Sequence, residues 1–154
     1  MSESLRQWRQ AYYLSYKNML QRYPWQWFCT LTFDSDYSTY VADNILLDWM
    51  RNLQISEHLQ IASFYLIATH KGHSHIHLLA LGRGSQSPEP ISLHDIDCRK
   101  WAREWPFFAK VEVVVNIGLV TSYIALHTFR FKCDDFEIHY YNRNLLRRYR
   151  NSLS

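Results

Sequence analysis

Apolar side chains recur along this chain with two periods, and the switches between them mark out its elements. From Leu5 to Arg22 the residues Trp8, Tyr12, Tyr16 and Leu20 fall four apart, which predicts an amphipathic helix, and Pro24 marks its end. Trp25 to Phe33 is crowded with aromatic and β-branched residues and stops at Asp34-Ser35-Asp36, the pattern of a central strand followed by a turn. Helical spacing returns from Tyr40 to Leu59, where Val41, Ile45, Leu46, Trp49 and Leu53 form an apolar stripe. Phe64 to Thr69 and His75 to Leu81 then read as strands, joined by the short polar run Lys71-Gly72-His73-Ser74.

The second half repeats the alternation. Gly82 to Pro90, rich in glycine, proline and serine, is a loop, and Ser92 is placed to cap a helix running to Trp105, with Ile96 and Trp101 on its apolar side. Pro106 breaks that helix, Ala109 to Ile117 is the strongest strand pattern in the chain, and Gly118 ends it. Leu119 to Phe129 reads as a short helix, Phe136 to Tyr141 as a last strand, and 143–154 as a basic tail. An order of α, β, α, β-β, α, β, α, β predicts an α+β domain on a single largely antiparallel five-stranded sheet with flanking helices. At 154 residues the chain is expected to be one domain, 1–154, with helix 5–22 preceding a core of about 25–142.

Composition narrows the class. Apolar residues make up 47% with only four glycines and four prolines, which excludes a disordered or low-complexity chain. No apolar run reaches the roughly 18 residues of a membrane span, and Met1 to Arg6 lacks the apolar core of a signal peptide, so a cytoplasmic protein without membrane contact is expected. Cys29, Cys98 and Cys133 are odd in number and widely spaced, as reduced, buried thiols would be. The net charge of +3 is modest, but Arg143, Arg147, Arg148 and Arg150 crowd one end with Arg130 and Lys132 upstream, a cluster able to track a phosphate backbone or simply to be a solvated face.

The densest chemistry lies in His70-Lys71-Gly72-His73-Ser74-His75-Ile76-His77. Residues two apart on a strand share a face, so His75 and His77 point together while Ile76 turns away. With a four-residue loop, Lys71 to Ser74, His70 would face His75 and Ala68 would face His77. Facing pairs stand about 4.5–5.5 Å apart, gathering three imidazoles beside a small alanine. Three nitrogens with open positions suit Mn²⁺, Zn²⁺, Co²⁺ or Ni²⁺, and a substrate phosphate would add oxygens for Mg²⁺.

With these motifs in order, the chain resembles the replication-initiator branch of the HUH endonucleases, single-strand nicking enzymes of rolling-circle plasmids, phages and single-stranded DNA viruses. Phe28-Cys29-Thr30-Leu31-Thr32-Phe33 is similar to the first motif, His75-Ile76-His77 to the second, and Tyr123-Ile124-Ala125-Leu126 to the third, the tyrosine helix; the likeness spans about 25–130. The resemblance implies an HUH/RRM-like fold and metal-dependent nicking and joining of single-stranded DNA at a replication origin of a plasmid, phage or mobile element. Tyr123 would be the nucleophile, forming a 5′-phosphotyrosyl intermediate, and His70, His75 and His77 would hold a divalent ion, manganese or magnesium first and zinc, cobalt or nickel as alternatives. A phenol with a pKa of about 10 needs such help at neutral pH.

Two positions depart from the family pattern. No carboxylate lies between Tyr65 and His70, where a glutamate ligand is usual, and Leu126 stands where a lysine commonly follows the tyrosine. His70 and His127 are the substitutes at hand, the latter one helical turn from Tyr123 and suited to proton handling or phosphate contact. Thr30, Thr32, Arg130, Lys132, Arg143 and Arg147 are expected to contact DNA, with Tyr140 and Tyr141 as reserve nucleophiles. No phosphate-binding Gly-x-x-x-x-Gly-Lys-Ser/Thr run occurs, so a separate helicase and polymerase are the expected partners; nothing in the pattern sets an oligomeric state. The alternatives are a non-cleaving single-strand-binding module of this fold, with Trp27 and Phe33 stacking on bases, or a small zinc protein closed by His70, His73, His75 and His77.

Overall fold

The structure, a computed structural model, describes residues 3–70, 73–129 and 136–150. Five helices, α1 (Glu3–Leu20), α2 (Thr39–Ser56), α3 (Cys98–Glu104), α4 (Ile117–Phe129) and α5 (Arg143–Tyr149), flank strands β1 (Trp27–Thr32), β2 (Leu59–His70), β3 (His73–Gly84), β4 (Ala109–Val113) and β5 (Phe136–Tyr141). The strands form one sheet in the order β4-β1-β3-β2-β5, every neighbouring pair antiparallel. This is the expected α+β architecture. No helix among the described residues is long and apolar enough to cross a membrane.

Alternation along the strands sorts their side chains into two cores. Trp27, Cys29 and Leu31 of β1, Tyr65 and Ile67 of β2, and Ile76 and Leu78 of β3 turn to one face, where α2 and α3 cover them with Leu46, Trp49, Leu53 and Trp101. Phe64, Leu79 and Leu81 turn to the other, beneath Leu20 of α1, Ile124 of α4 and Leu145 and Leu146 of α5. Each fully buried large side chain contributes about 1.5–3 kcal/mol over its exposed state. Gly82 suits this packing, because a Cβ there would press on the Trp27 ring at 3.1 Å and the Gln60 carbonyl at 3.2 Å.

Several boundaries depart from the periodic reading for local reasons. α2 ends at Ser56 rather than Leu59 because His58 adopts a left-handed φ of 54°, turning the chain into β2 at Leu59, well before Phe64. Ser92 caps a short 3₁₀ turn, Leu93–Asp95; Ile96 then turns extended into the core and Asp97 caps α3 by accepting from Lys100 N–H. β4 stops at Val113, where its partner β1 begins at Trp27, and Val114 N–H bonds to Gln26 instead. The expected basic tail carries α5, whose Asn142 cap accepts from Leu145 N–H while Leu145 and Leu146 enter the core.

The hairpin register is the main correction. His70 pairs with His73, Ala68 with His75 and Leu66 with His77, so β3 begins at His73 and the four-residue loop is not formed. Ser74 is responsible. It is buried, its N–H donates to the Ser35 carbonyl at 3.2 Å, and its hydroxyl accepts from Tyr37 N–H at 2.8 Å and donates to the Tyr37 carbonyl at 3.0 Å. These bonds hold the chain extended to the hairpin tip. Because the partner of His70 moves from position 75 to 73, an even displacement, no side chain changes face.

Candidate active site

On the face covered by α4, register lines up side chains from four strands. Lys110, Thr30, His77 and Leu66 are direct neighbours across β4, β1, β3 and β2; one pleat along, Glu112 stands beside Phe28, and Thr32 beside His75, which faces the small Ala68. The histidines therefore sit in the middle of the sheet, flanked by the β1 threonines.

The tyrosine arrives from above. Asn116 accepts from Leu119 N–H to start α4, and Thr121, Ile124 and Ala125 are buried, Ile124 in the core it shares with Leu20 of α1 and Phe64 and Leu79 of the sheet. Leu119 and Tyr123 consequently lie on the outward side, Tyr123 with 47% exposure. Its ring meets His77 edge-on, centroids 5.7 Å apart at 84°, and meets Phe28 in the same manner at 5.9 Å. Phe28 stacks flat on His77 at 6.1 Å, and His75 stands 5.1 Å from His77 at 74°. His77 is thus enclosed by aromatic rings at 2% exposure, while His75 is half-buried. A cleft of about 330 Å³ opens beside Tyr123, floored by Phe28 and Thr30 and walled by Lys110 and Glu112 of β4.

His75, His77, Tyr123 and Thr30 are brought together from three separate elements. Thr32 adjoins His75, but its hydroxyl donates to the Phe108 carbonyl at 2.8 Å, which ties β1 to the start of β4 rather than leaving it for a ligand. The His70 backbone lies at the end of β2, paired with His73, and His127 lies one turn beyond Tyr123 in α4; the side chains of both fall outside the described residues, as do Arg130, Lys132 and Cys133 entirely. Arg143 and Arg147 are elsewhere. They line a separate cavity of about 260 Å³ with Tyr23 and Tyr140 near the β5 edge, Arg143 lying 5.0 Å over the Tyr140 ring.

The reserve tyrosines differ from Tyr123 in setting. Burial, with Tyr23 nearby, pushes the Tyr140 hydroxyl above its ordinary range, Arg143 opposing, and Tyr141 accepts from Gln54 Nε2 at 2.9 Å on the α2 side. Trp27 and Phe33, expected to stack on bases in the binding-module reading, are buried at 1% and 4% exposure, Trp27 against Trp101 of α3 and Phe33 among Tyr37, Trp105 and Phe107. Odd positions of β1 face that closed core, so neither ring can receive a base. Among the described residues no group of three histidine, cysteine or carboxylate side chains gathers to hold a metal, and His73 is exposed. The donor set the site does present is the imidazole pair of His75 and His77, which suits a borderline divalent ion that keeps open positions.

Lys110 and Glu112 escape a reading of the sequence. Their alternation in Ala109 to Val113 marks one polar face of a strand, but only pairing of β4 with β1 brings that face to Phe28 and Thr30. The two form an ion pair at 2.7 Å, and Glu112, with a smaller effect from Tyr123, holds the Lys110 ammonium above its ordinary range.

No family model matches the chain, and no curated protein matches it. Among solved structures it is similar to the hypothetical protein ORF119 from Sulfolobus islandicus rod-shaped virus 1, at 14% identity and a TM-score of 0.43, over 77% of this chain and 94% of that one.

Proposed function

We propose that this chain is an HUH-type nicking and joining enzyme for single-stranded DNA, initiating rolling-circle replication of a plasmid, phage or mobile element, with Tyr123 as its nucleophile. The observation that carries the reading is the half-exposed Tyr123 ring set edge-on to His77, 5.7 Å away, at the mouth of a polar cleft. In the reaction, the Tyr123 oxygen attacks the phosphorus of a phosphodiester in line with the 3′ oxygen. The new bond is Tyr123 Oη–P, the bond broken is P–O3′, the phenol proton passes to solvent and the 3′ oxygen takes one up. The phosphodiester character is kept in the 5′-phosphotyrosyl product, so the free 3′ hydroxyl can reverse the step or prime synthesis.

The chain's own residues divide the work. Phe28 and His77 fix the plane of the Tyr123 ring, and Thr30 presents a hydroxyl on the cleft floor to a phosphate oxygen. His75 and His77 would hold a divalent ion, which when bound polarises a non-bridging oxygen and offsets phosphate charge. Ser74, on the opposite face between His73 and His75, anchors the histidine strand through the Ser35–Tyr37 loop.

The test is to incubate the protein with pooled labelled single-stranded DNA and Mn²⁺, with and without EDTA, alongside Tyr123→Phe. A denaturant-resistant protein–DNA adduct that requires metal and vanishes in the variant is expected. An adduct that survives Tyr123→Phe moves the nucleophile to Tyr140 or Tyr141, and no adduct with any DNA overturns the reading.

A further inference from the structure

The cleft beside Tyr123 is chemically two-ended. Lys110 is the register neighbour of Thr30, in line with His77, whereas Glu112 lies one pleat further on, beside Phe28. Two residues of strand set the Cα atoms of the two about 7 Å apart, while their charged ends meet at 2.7 Å. Their ion pair is exposed on both sides, with 66% and 45% of the side chains in solvent, so it is weak and a ligand supplying an anion and a donor can part it. Between them the cleft is lined by the half-buried Phe28 ring, by Val120 and by Leu119, held 70% exposed at the rim, with the hydroxyl-bearing Thr30 and Tyr123 beside them. The volume of about 330 Å³ lies in the range of small-ligand sites.

An anion, a flat apolar body and a hydrogen-bond donor, in that order, describe a nucleotide with an amino-bearing base. We propose that this cleft is a nucleotide subsite. Lys110 takes a phosphate oxygen, Phe28 and Leu119 sandwich the base, and Glu112 accepts a hydrogen bond from its exocyclic amine. A carboxylate pairs with the amine of cytosine or adenine and has no such partner on thymine, so the subsite selects against thymine. Because the phosphate end lies on the histidine row, the bound nucleotide is oriented with its phosphate toward Thr30 and His77 and its base toward the Glu112 end of β4. The proposal deepens the single-strand DNA reading and rests on it.

Binding of dCMP, dTMP and inorganic phosphate is to be followed by amide chemical shifts of ¹⁵N-labelled protein, for wild type, Lys110→Met and Glu112→Gln. The expected result is dCMP binding about fivefold or more tighter than dTMP, with shifts confined to β1, β4 and the first turns of α4. Lys110→Met weakens both nucleotides about tenfold, and Glu112→Gln abolishes the difference between them, while both variants keep the wild-type spectrum. Equal binding of dCMP and dTMP, shifts outside the cleft, or phosphate binding as tightly as either nucleotide overturns the subsite. None of these arms requires strand cleavage. A protein that forms the Tyr123 adduct without showing the preference loses the subsite and keeps the nicking reading; the converse result keeps the subsite and loses the nicking.

Discussion

Beneath α2 and α3 the sheet presents Trp27, Leu31, Ile67, Ile76 and Leu78 to Trp49, Trp101 and Trp105, and that side closes completely. One residue along the same strands, Thr30, His75 and His77 face the other way, and there α4 leaves Tyr123 and Lys110 in touch with solvent. Two faces made from alternate residues of the same segments thus have opposite work. The closed face holds four of the six tryptophans, Trp27, Trp49, Trp101 and Trp105, and supplies rigidity; the open one places imidazole, hydroxyl and phenol groups at its central positions. Placing the polar row on the middle strands is possible because the apolar row behind it is so well packed. A site on rigid strands keeps its geometry without contributing to the core.

The comparison breaks most clearly by truncating one side chain on each face. Trp101→Ala removes a fully buried ring that meets Trp27 edge-on at 5.2 Å, and is expected to cost about 3–5 kcal/mol in urea unfolding. Tyr123→Phe, which removes one hydroxyl at a half-exposed position, should move the same midpoint by less than about 0.5 kcal/mol while abolishing the covalent adduct. Equal costs would erase the distinction between the faces.

Ser74→Ala is an intermediate case, because the residue belongs to the closed face but secures the strand that carries the histidines. Loss of its hydroxyl leaves Tyr37 N–H without that acceptor, and a destabilisation of about 1–3 kcal/mol is expected. Cross-strand amide contacts of His75, measured by NMR, should show whether Ala68 remains its partner. A hairpin unchanged in both stability and pairing would deny Ser74 the anchoring role.

The smallest effect sharpens the contrast through pH. Burial pushes the Cys29 thiol well above its ordinary range, and burial together with the hydrogen bond to Asp43 does the same to the Tyr65 hydroxyl; both belong to the closed face. A folded pKa above the unfolded one holds the proton in the native state, so this stability is complete below the unfolded value and is lost as pH rises. The decline therefore begins at about pH 8.5 for the thiol and continues through about pH 10 for the phenol. Cys29→Ala should flatten the first part of that slope in chemical unfolding followed between neutral and alkaline pH, and an unchanged slope would assign the decline to other groups.

Much of this arrangement is legible in the amino-acid sequence. The aromatic run of β1, the apolar stripe of α2 and the alternation through Ala109 to Val113 each carry their period in a few residues, so strands and helices followed from spacing. His75 and His77 share a face whatever their partner, since side-chain alternation is local. Boundaries were less legible where one residue departs from its type's habit, as His58 does at positive φ, or where a polar side chain reaches a distant loop, as Ser74 does. α5 is hidden in the sequence because its arginines dominate the composition, while its buried residues are Leu145 and Leu146, with Tyr149 partly buried beside them.

By itself the sequence determined the alternation of elements, the α+β class, the pairing of two imidazoles on one strand face and a tyrosine on the helix beyond β4, because each depends on residues close together in the chain. Only tertiary structure decided which strands became neighbours, and with that the hairpin register, the meeting of Tyr123 with His77, and the arrival of Lys110 and Glu112 beside Phe28 and Thr30. α4 shows the reason most directly: it is apolar on nearly every side, so its own pattern favours no face. Burial of Ile124 and Ala125 selected the orientation that leaves Tyr123 half-exposed beside His77.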